Sequence, residues 1–228
     1  MALGLAEFVV NETGFAADLG AEKYFDIVLP SSGLSPAAAV VVASVRALAT
    51  QATAEDPQGF DNLGRHLANL KKFGVPAVVA INRFDDDSDA DLAAIATFCK
   101  QENVECAITE VFAHGGDGAL DLANKIIAAA SSPVKVHSLY TPDLSLKEKI
   151  ATIGREIYGA AAVHLEPLAE QRLDQFESLG FSKFPVCVAK TQSSFSDNPK
   201  IPGAPTGWTL TISDIHLAAG AGFVVAVA

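Results

Sequence analysis

Four stretches of this chain set polar or aromatic side chains beside glycines where a strand should end. The first, Asn11-Glu12-Thr13-Gly14-Phe15-Ala16-Ala17-Asp18-Leu19-Gly20-Ala21-Glu22-Lys23, follows an apolar run and carries two glycines. Ligands in open α/β sheets sit beyond strand carboxyl ends, so this loop lies where a site would form. A plain structural turn with surface charges explains it as well. The second is Asn82-Arg83-Phe84-Asp85. Asn-Arg-x-Asp resembles a guanine-reading motif on four loosely matched residues. Phe84 could stack on a planar ligand, or pack on a neighbouring helix. The third, Phe112-Ala113-His114-Gly115-Gly116-Asp117-Gly118, has three glycines before a helical pattern. Such a turn lets backbone approach a ligand closely, and the helix behind it favours an anion. A plain turn is the alternative, and a lone loop histidine is seldom a base. The fourth, Lys190-Thr191-Gln192-Ser193-Ser194-Phe195-Ser196-Asp197, leaves a buried strand pattern. It could equally be a loop that bonds its own backbone.

Several familiar chemistries have no motif here. There is no GxxxxGK[ST] phosphate loop, no GxSxG elbow and no HExxH pair. The run Asp85-Asp86-Asp87 reads as a solvated helix entry, and nothing in its spacing demands a metal. Cys99, Cys106 and Cys187 form no CxxC pair. That argues against a disulfide framework and a structural zinc site, and points to a reducing, cytoplasmic setting.

The elements that must position these stretches follow from apolar periodicity. Phe8-Val9-Val10 reads as a short strand, Ala37 to Ser44 as a strand buried on both faces, and Ala77 to Ile81 as another. Residues 61 to 73 place Leu63, His66, Leu67, Leu70 and Phe73 on one helical face, ended by Gly74. Asp89 to Gln101 is helical, Val104 to Thr109 strand-like, and Leu120 to Ala129 helical. This alternation predicts an α/β fold with a mostly parallel sheet flanked by helices. Later, Ser145 and Glu148 form a capping signal for a helix to Ile157. Gln171 to Leu179 follows as a helix closed by Gly180. Phe184 to Ala189, Thr209 to Ile215 and Gly222 to Ala228 read as strands around a loop at 192 to 207. A smaller α+β region toward the C-terminus is expected. The domains divide as 1–70, 71–165 and 166–228.

The 228 residues are half hydrophobic, enough to bury a real core. With 16 basic and 27 acidic side chains, the formal charge is −11. No basic cluster offsets it, which argues against nucleic acid and anionic membrane as partners. No apolar run is long enough to span a bilayer, and the N-terminus lacks a basic signal-peptide region. Both ends run straight into apolar strand patterns, which suggests a fragment.

Six stretches in collinear order resemble the formate–tetrahydrofolate ligase family. They are TGFAADLGAEKYFDI (13–27), SVRAL (44–48), NLGRHLANLKKFGVPAVVAINRF (62–84), FAHGGDGALDLA (112–123), SLKEKIATIGREIYGA (145–160) and FPVCVAKTQSSFSD (184–197). The resemblance implies an enzyme that couples ATP, Mg²⁺, formate and tetrahydrofolate through formyl phosphate, with no covalently bound cofactor. It implies that the phosphate loop lies upstream of residue 1, that this piece alone is inactive, and that the full-length protein is a homo-oligomer. It also implies folate contacts at Phe84 and Phe112, which would sandwich the pterin, and at Ile108. Asn82, His114, Gly115 and Gly116 become possible loop contacts. Catalytic residues stay unassigned, and no metal ligand is implied in this chain. His114 replaces the family's usual lysine, Phe112 its common tryptophan, and Ser193 its usual tyrosine. Two other readings stand beside this one: a non-catalytic folate-binding or scaffold protein, and a GTPase-like domain resting on residues 82 to 85.

Overall fold

The computed structural model describes residues 2–228. In chain order the regular elements are α1 (Leu29–Ser32), β1 (Ala39–Ala43), α2 (Val45–Ala49), α3 (Phe60–Lys72), β2 (Ala77–Asn82), α4 (Asp89–Gln101), β3 (Glu105–Thr109), α5 (Val111–His114), α6 (Leu120–Ala130), α7 (Leu146–Ile153), β4 (Ala162–Leu165), α8 (Pro167–Ser178), β5 (Val186–Ala189), β6 (Thr209–Ile212), β7 (Asp214–Ala218) and β8 (Phe223–Val227). Single π-helical turns occupy Ala16–Ala21, Tyr24–Val28 and Gly154–Tyr158.

Strands β1, β2 and β3 form a parallel sheet in that order, with Val41 opposite Val79 and Asn82 opposite Thr109. The continuous Ala/Val composition of β1 and β2 suits such strands. The sheet crosses residue 70, since β1 pairs with β2 on its far side. On one face, α3 and α4 bury Leu63, Leu67, Leu92, Ile95 and Cys99 against Ala43, Val79 and Ile81. Both crossovers lie on that face, as right-handed βαβ connections along one direction require. Gly74 ends α3 at φ +77°. A Cβ there would collide with the Lys135 carbonyl, so glycine is required on two counts.

The later region builds a two-stranded parallel sheet, β4 with β6, and a mixed sheet β5-β8-β7 in which β7 and β8 are antiparallel. Its core gathers Ile150, Ile153 and Ile157 with Val186, Val188, Leu210, Ile215 and Val224. Phe25 and Phe73 stack within the same core at 4.4 Å, joining residues from before β1 to the end of α3. Ser145 and Glu148 form the full capping box.

Four expectations are corrected. Phe8-Val9-Val10 is not a strand; its side chains are exposed, and no neighbouring strand pairs with it. An apolar run becomes a strand only where a ladder receives its backbone groups. The expected strand at 209 to 215 is two strands. β6 pairs with β4, and the chain redirects at Ser213, whose N–H donates to the Val227 carbonyl at 2.8 Å. The helix from Ser145 is α-helical to Ile153 and closes in a π turn to Tyr158. Finally, α8 starts at Pro167 rather than Gln171, since proline suits a first helical position.

Candidate functional site

The carboxyl edge of the β1-β2-β3 sheet gathers two of the four stretches, 82–85 and 112–118. Phe84 lies two residues past β2, and Phe112 lies in the short helix α5 just past β3. Asn82 and Thr109 are opposed in register, so both phenylalanines leave the same edge from adjacent parallel strands. Phe112 is fully exposed and Phe84 is 38% exposed. The Arg46 guanidinium, just after β1, covers part of the Phe84 ring, 4.7 Å from its centroid. Arg46 also donates to Asp86 at 2.6 Å and holds that carboxyl below its usual range. The Phe84 N–H donates to Asp87 Oδ2, which ties the turn after β2 to its own acidic run. Arg83 pairs with Asp89 at 3.0 Å and lies 3.9 Å from Glu110.

Beside this edge is a shallow recess of about 390 Å³. Ile108 and His114 line it, as do Glu110, Asp117, Gly118, Leu120 and Asp121. The recess depends on Gly118: a Cβ there would stand 2.5 Å from the Glu110 carbonyl oxygen. Gly118 in turn accepts from the Glu110 N–H at 3.0 Å, which closes the glycine turn on itself. Gly115 and Gly116 face open space, and Gly115 has φ +57°. Neither Phe84 nor Phe112 lines the recess. The structure therefore brings Ile108 and His114 together and leaves the two aromatic rings as separate outward surfaces.

The first and fourth stretches meet elsewhere, in a buried charged cluster. Lys190, with its side chain fully buried, pairs with Asp18 at 3.0 Å and lies 4.8 Å over the Tyr158 ring. It also donates to the Thr191 and Ser194 carbonyls. His66, from α3, packs tilted against Phe195, with centroids 4.6 Å apart and the rings at 40°, and sits 4.0 Å from Asp18. Burial pushes the His66 imidazole and the Lys190 ammonium below their ordinary values, against the opposing pull of Asp18. Glu22 is fully buried, 3.0 Å from Lys23 Nζ, yet neither of its oxygens has a well-directed hydrogen bond. Burial raises its pKa. Burial and the neighbouring Glu22 push Asp26 up to about 9. Lys23 is held charged: burial opposes it, but Glu22 and the Tyr158 oxygen beside it more than offset that.

A family model described as formate–tetrahydrofolate ligase matches residues 1–228. The chain belongs to the formate–tetrahydrofolate ligase family. Relatives of that name include the protein of Paracoccus denitrificans (strain Pd 1222), 46% identical over 237 aligned positions. Another is that of Rhizobium etli (strain CIAT 652), 46% identical over 238. Each alignment covers 99% of this chain and 43% of the relative, so the chain spans less than half of either ligase.

Within this ligase family segment, three of the six resembling stretches, 13–27, 62–84 and 184–197, converge on the buried cluster through Asp18, His66 and Lys190. Sequence reasoning flagged the stretches and missed the convergence, because no local spacing joins residue 18 to residue 190. Glu110 and Asp121 were missed for another reason: scattered carboxylates look like ordinary surface charge. Among the described residues no group of three or more His, Cys, Asp or Glu side chains could hold a metal, and no helix is long and apolar enough to cross a membrane.

Proposed function

We propose that this chain supplies the pterin-stacking side of the folate site in a ligase that joins formate to tetrahydrofolate. The observation that carries this reading is the pair of outward aromatic rings, Phe84 and Phe112, leaving the carboxyl edge of adjacent parallel strands. That is the edge at which α/β sheets bind ligands. Exposed phenylalanines are costly on a surface that nothing else covers, and each offers a flat face of the kind a pterin stacks on. Ile108 and the turn Asn82, His114, Gly115 and Gly116 border the same edge and would shape the rim.

In the reaction we assign to the assembled enzyme, formate takes the terminal phosphoryl group of ATP to give formyl phosphate. The N10 amine of tetrahydrofolate then displaces phosphate from the mixed anhydride. Phosphoryl transfer depends on a phosphate-cradling loop and Mg²⁺. The residues present do not fit that role, since they include no GxxxxGK[ST] and, among the described residues, no metal-holding cluster. The phosphoryl step therefore belongs to the portion of the ligase outside this chain's span.

Calorimetric titration of the chain with tetrahydrofolate tests the assignment. Binding that Phe84→Ala and Phe112→Ala each weaken, while Phe181→Ala away from this edge does not, supports it. Equal affinity for all three variants overturns it.

A further inference from the structure

The turn after β2 holds an aromatic ring and a carboxylate in one small frame. The Phe84 N–H donates to Asp87 Oδ2 at 2.9 Å, and the Asp87 N–H donates back to the Phe84 carbonyl at 3.0 Å. Asp86 lies inside that closed turn, so its carboxylate and the Phe84 ring keep one relation to each other. Register places Ala43 of β1 opposite Ile81 of β2, so the segments that follow leave neighbouring strand ends. Arg46, in the short helix α2, reaches across from one to the other. Its guanidinium lies 4.7 Å over the Phe84 ring centroid and donates to Asp86 Oδ1 at 2.6 Å. Among the described residues Arg46 is the only basic side chain paired with Asp86. Arg83, the neighbouring cation, turns to Asp89 and Glu110 instead. The Arg46 and Asp86 side chains are 60% and 67% exposed. A pair so open to water is lightly held.

A pterin asks for the same two groups. Its ring is flat and stacks on an aromatic face. Its N3–H and 2-amino group flank one carbon and point the same way, a guanidine-like edge that gives a carboxylate two parallel donors. We infer that Arg46 is an internal stand-in for the pterin: tetrahydrofolate displaces its guanidinium from the Phe84 face, and Asp86 then accepts from the N3–H and the 2-amino group. The inference rests on the folate reading above. It adds the residue that orients the ring and the residue that competes for its place. The exchange makes and breaks no covalent bond, and Arg46 has open water to turn into. An Asp carboxyl is ionised at neutral pH with or without Arg46 beside it, so it can only accept. Asp87 is a poorer acceptor, because its carboxylate already takes the Phe84 N–H.

Calorimetric titration with two probes tests this: tetrahydrofolate, and an analogue with hydrogen in place of the 2-amino group. Arg46→Ala should bind tetrahydrofolate about 3- to 10-fold more tightly, because an exposed ion pair and a cation–π contact no longer compete. Asp86→Asn should bind it about 5- to 30-fold more weakly, through loss of the charged acceptor. The same substitution should leave affinity for the analogue unchanged, whereas a merely structural role for Asp86 would weaken both probes alike. Weaker tetrahydrofolate binding by Arg46→Ala would make Arg46 a ligand contact rather than a competitor and overturns the inference. So does an Asp86→Asn variant that treats the two probes equally, when Phe84→Ala and Phe112→Ala still weaken binding. Tetrahydrofolate affinity that neither phenylalanine variant alters overturns the folate reading, and this inference with it.

Discussion

Phe84 and Phe112 differ in what holds them, and that difference sets what their replacement should do. Phe112 touches nothing that would suffer from its loss, so Phe112→Ala should change ligand binding and leave folding alone. Phe84 carries the Arg46 guanidinium on its ring, so Phe84→Ala removes a stacking face and also frees Arg46. A ring stacked on a flat heterocycle contributes roughly 1–3 kcal/mol, or about 5- to 150-fold in affinity. In the assembled enzyme, steady-state kinetics should show that loss for tetrahydrofolate with little change for ATP. Phe112→Trp should hold or improve it, and His114→Ala should do less than either alanine change. The buried acids give a second residue-scale prediction. Asp26 titrates near 3.8 when unfolded and near 9 when folded, through burial and the adjoining Glu22. Between those values the folded state holds the extra proton, so stability falls as pH rises. Lys23, raised in the fold, acts in the same direction only near and above its ordinary 10.5. His66, lowered in the fold, acts oppositely below about 6.5. Lys190, also lowered in the fold, opposes the decline below its ordinary 10.5, so from pH 7 to 9 the acid's share is the part of the slope that depends on Asp26, up to about 1.4 kcal/mol per pH unit per proton. Urea unfolding followed by the fluorescence of Trp208, the chain's one tryptophan, should show the decline, and Asp26→Asn should flatten it. Parallel wild-type and Asp26→Asn profiles over that window would contradict a protonated Asp26.

At the scale of elements, the Asp18–Lys190 pair fastens the first π turn to the loop after β5. Breaking a buried pair by removing one partner costs roughly 3–5 kcal/mol, because the other charge is stranded. Asp18→Asn should show a loss of that order in denaturant midpoint, and Asp18→Asn with Lys190→Met should lose less than the two single changes together. The α7 capping box is a smaller matter: Ser145→Ala should cost about 1 kcal/mol. That box was legible in the sequence because both of its partners lie within one turn. The same holds for β1, β2, α3 and α4, whose apolar spacing and terminating glycines are local signals. Two of the misreadings came from non-local causes. Whether Phe8 to Val10 pairs depends on a neighbour, and where β6 yields to β7 depends on which sheet receives each half. The rim of the candidate site shows the same division. Phe84 and His114 stood out beside glycines and strand ends, whereas Glu110 and Asp121 acquire meaning only once α6 folds back over β3.

For the whole molecule, the family assignment and the absent phosphate loop fit together. The purified chain should show no formate-dependent ATP hydrolysis and no synthesis of formyltetrahydrofolate, because nothing in it cradles a transferring phosphoryl group. A coupled assay with formate, ATP and tetrahydrofolate measures this directly, and turnover above background would refute it. A protein in which this chain replaces the matched segment of the Paracoccus denitrificans ligase should show both activities together.

The buried cluster also imposes an order in time. Lys23 reaches Tyr158 across 135 residues, and a ribosome adding about 5–20 residues per second needs roughly 7 to 27 s to make that span. Until then Glu22 and Asp26 stand in water as ordinary ionised acids, repelling each other. Their desolvation waits for the second half of the chain, so the nascent protein passes through an interval with its N-terminal turns unfastened. A translating ribosome should therefore carry a protease-sensitive segment around residues 16 to 28. That segment should become resistant only after Lys190 has cleared the exit tunnel.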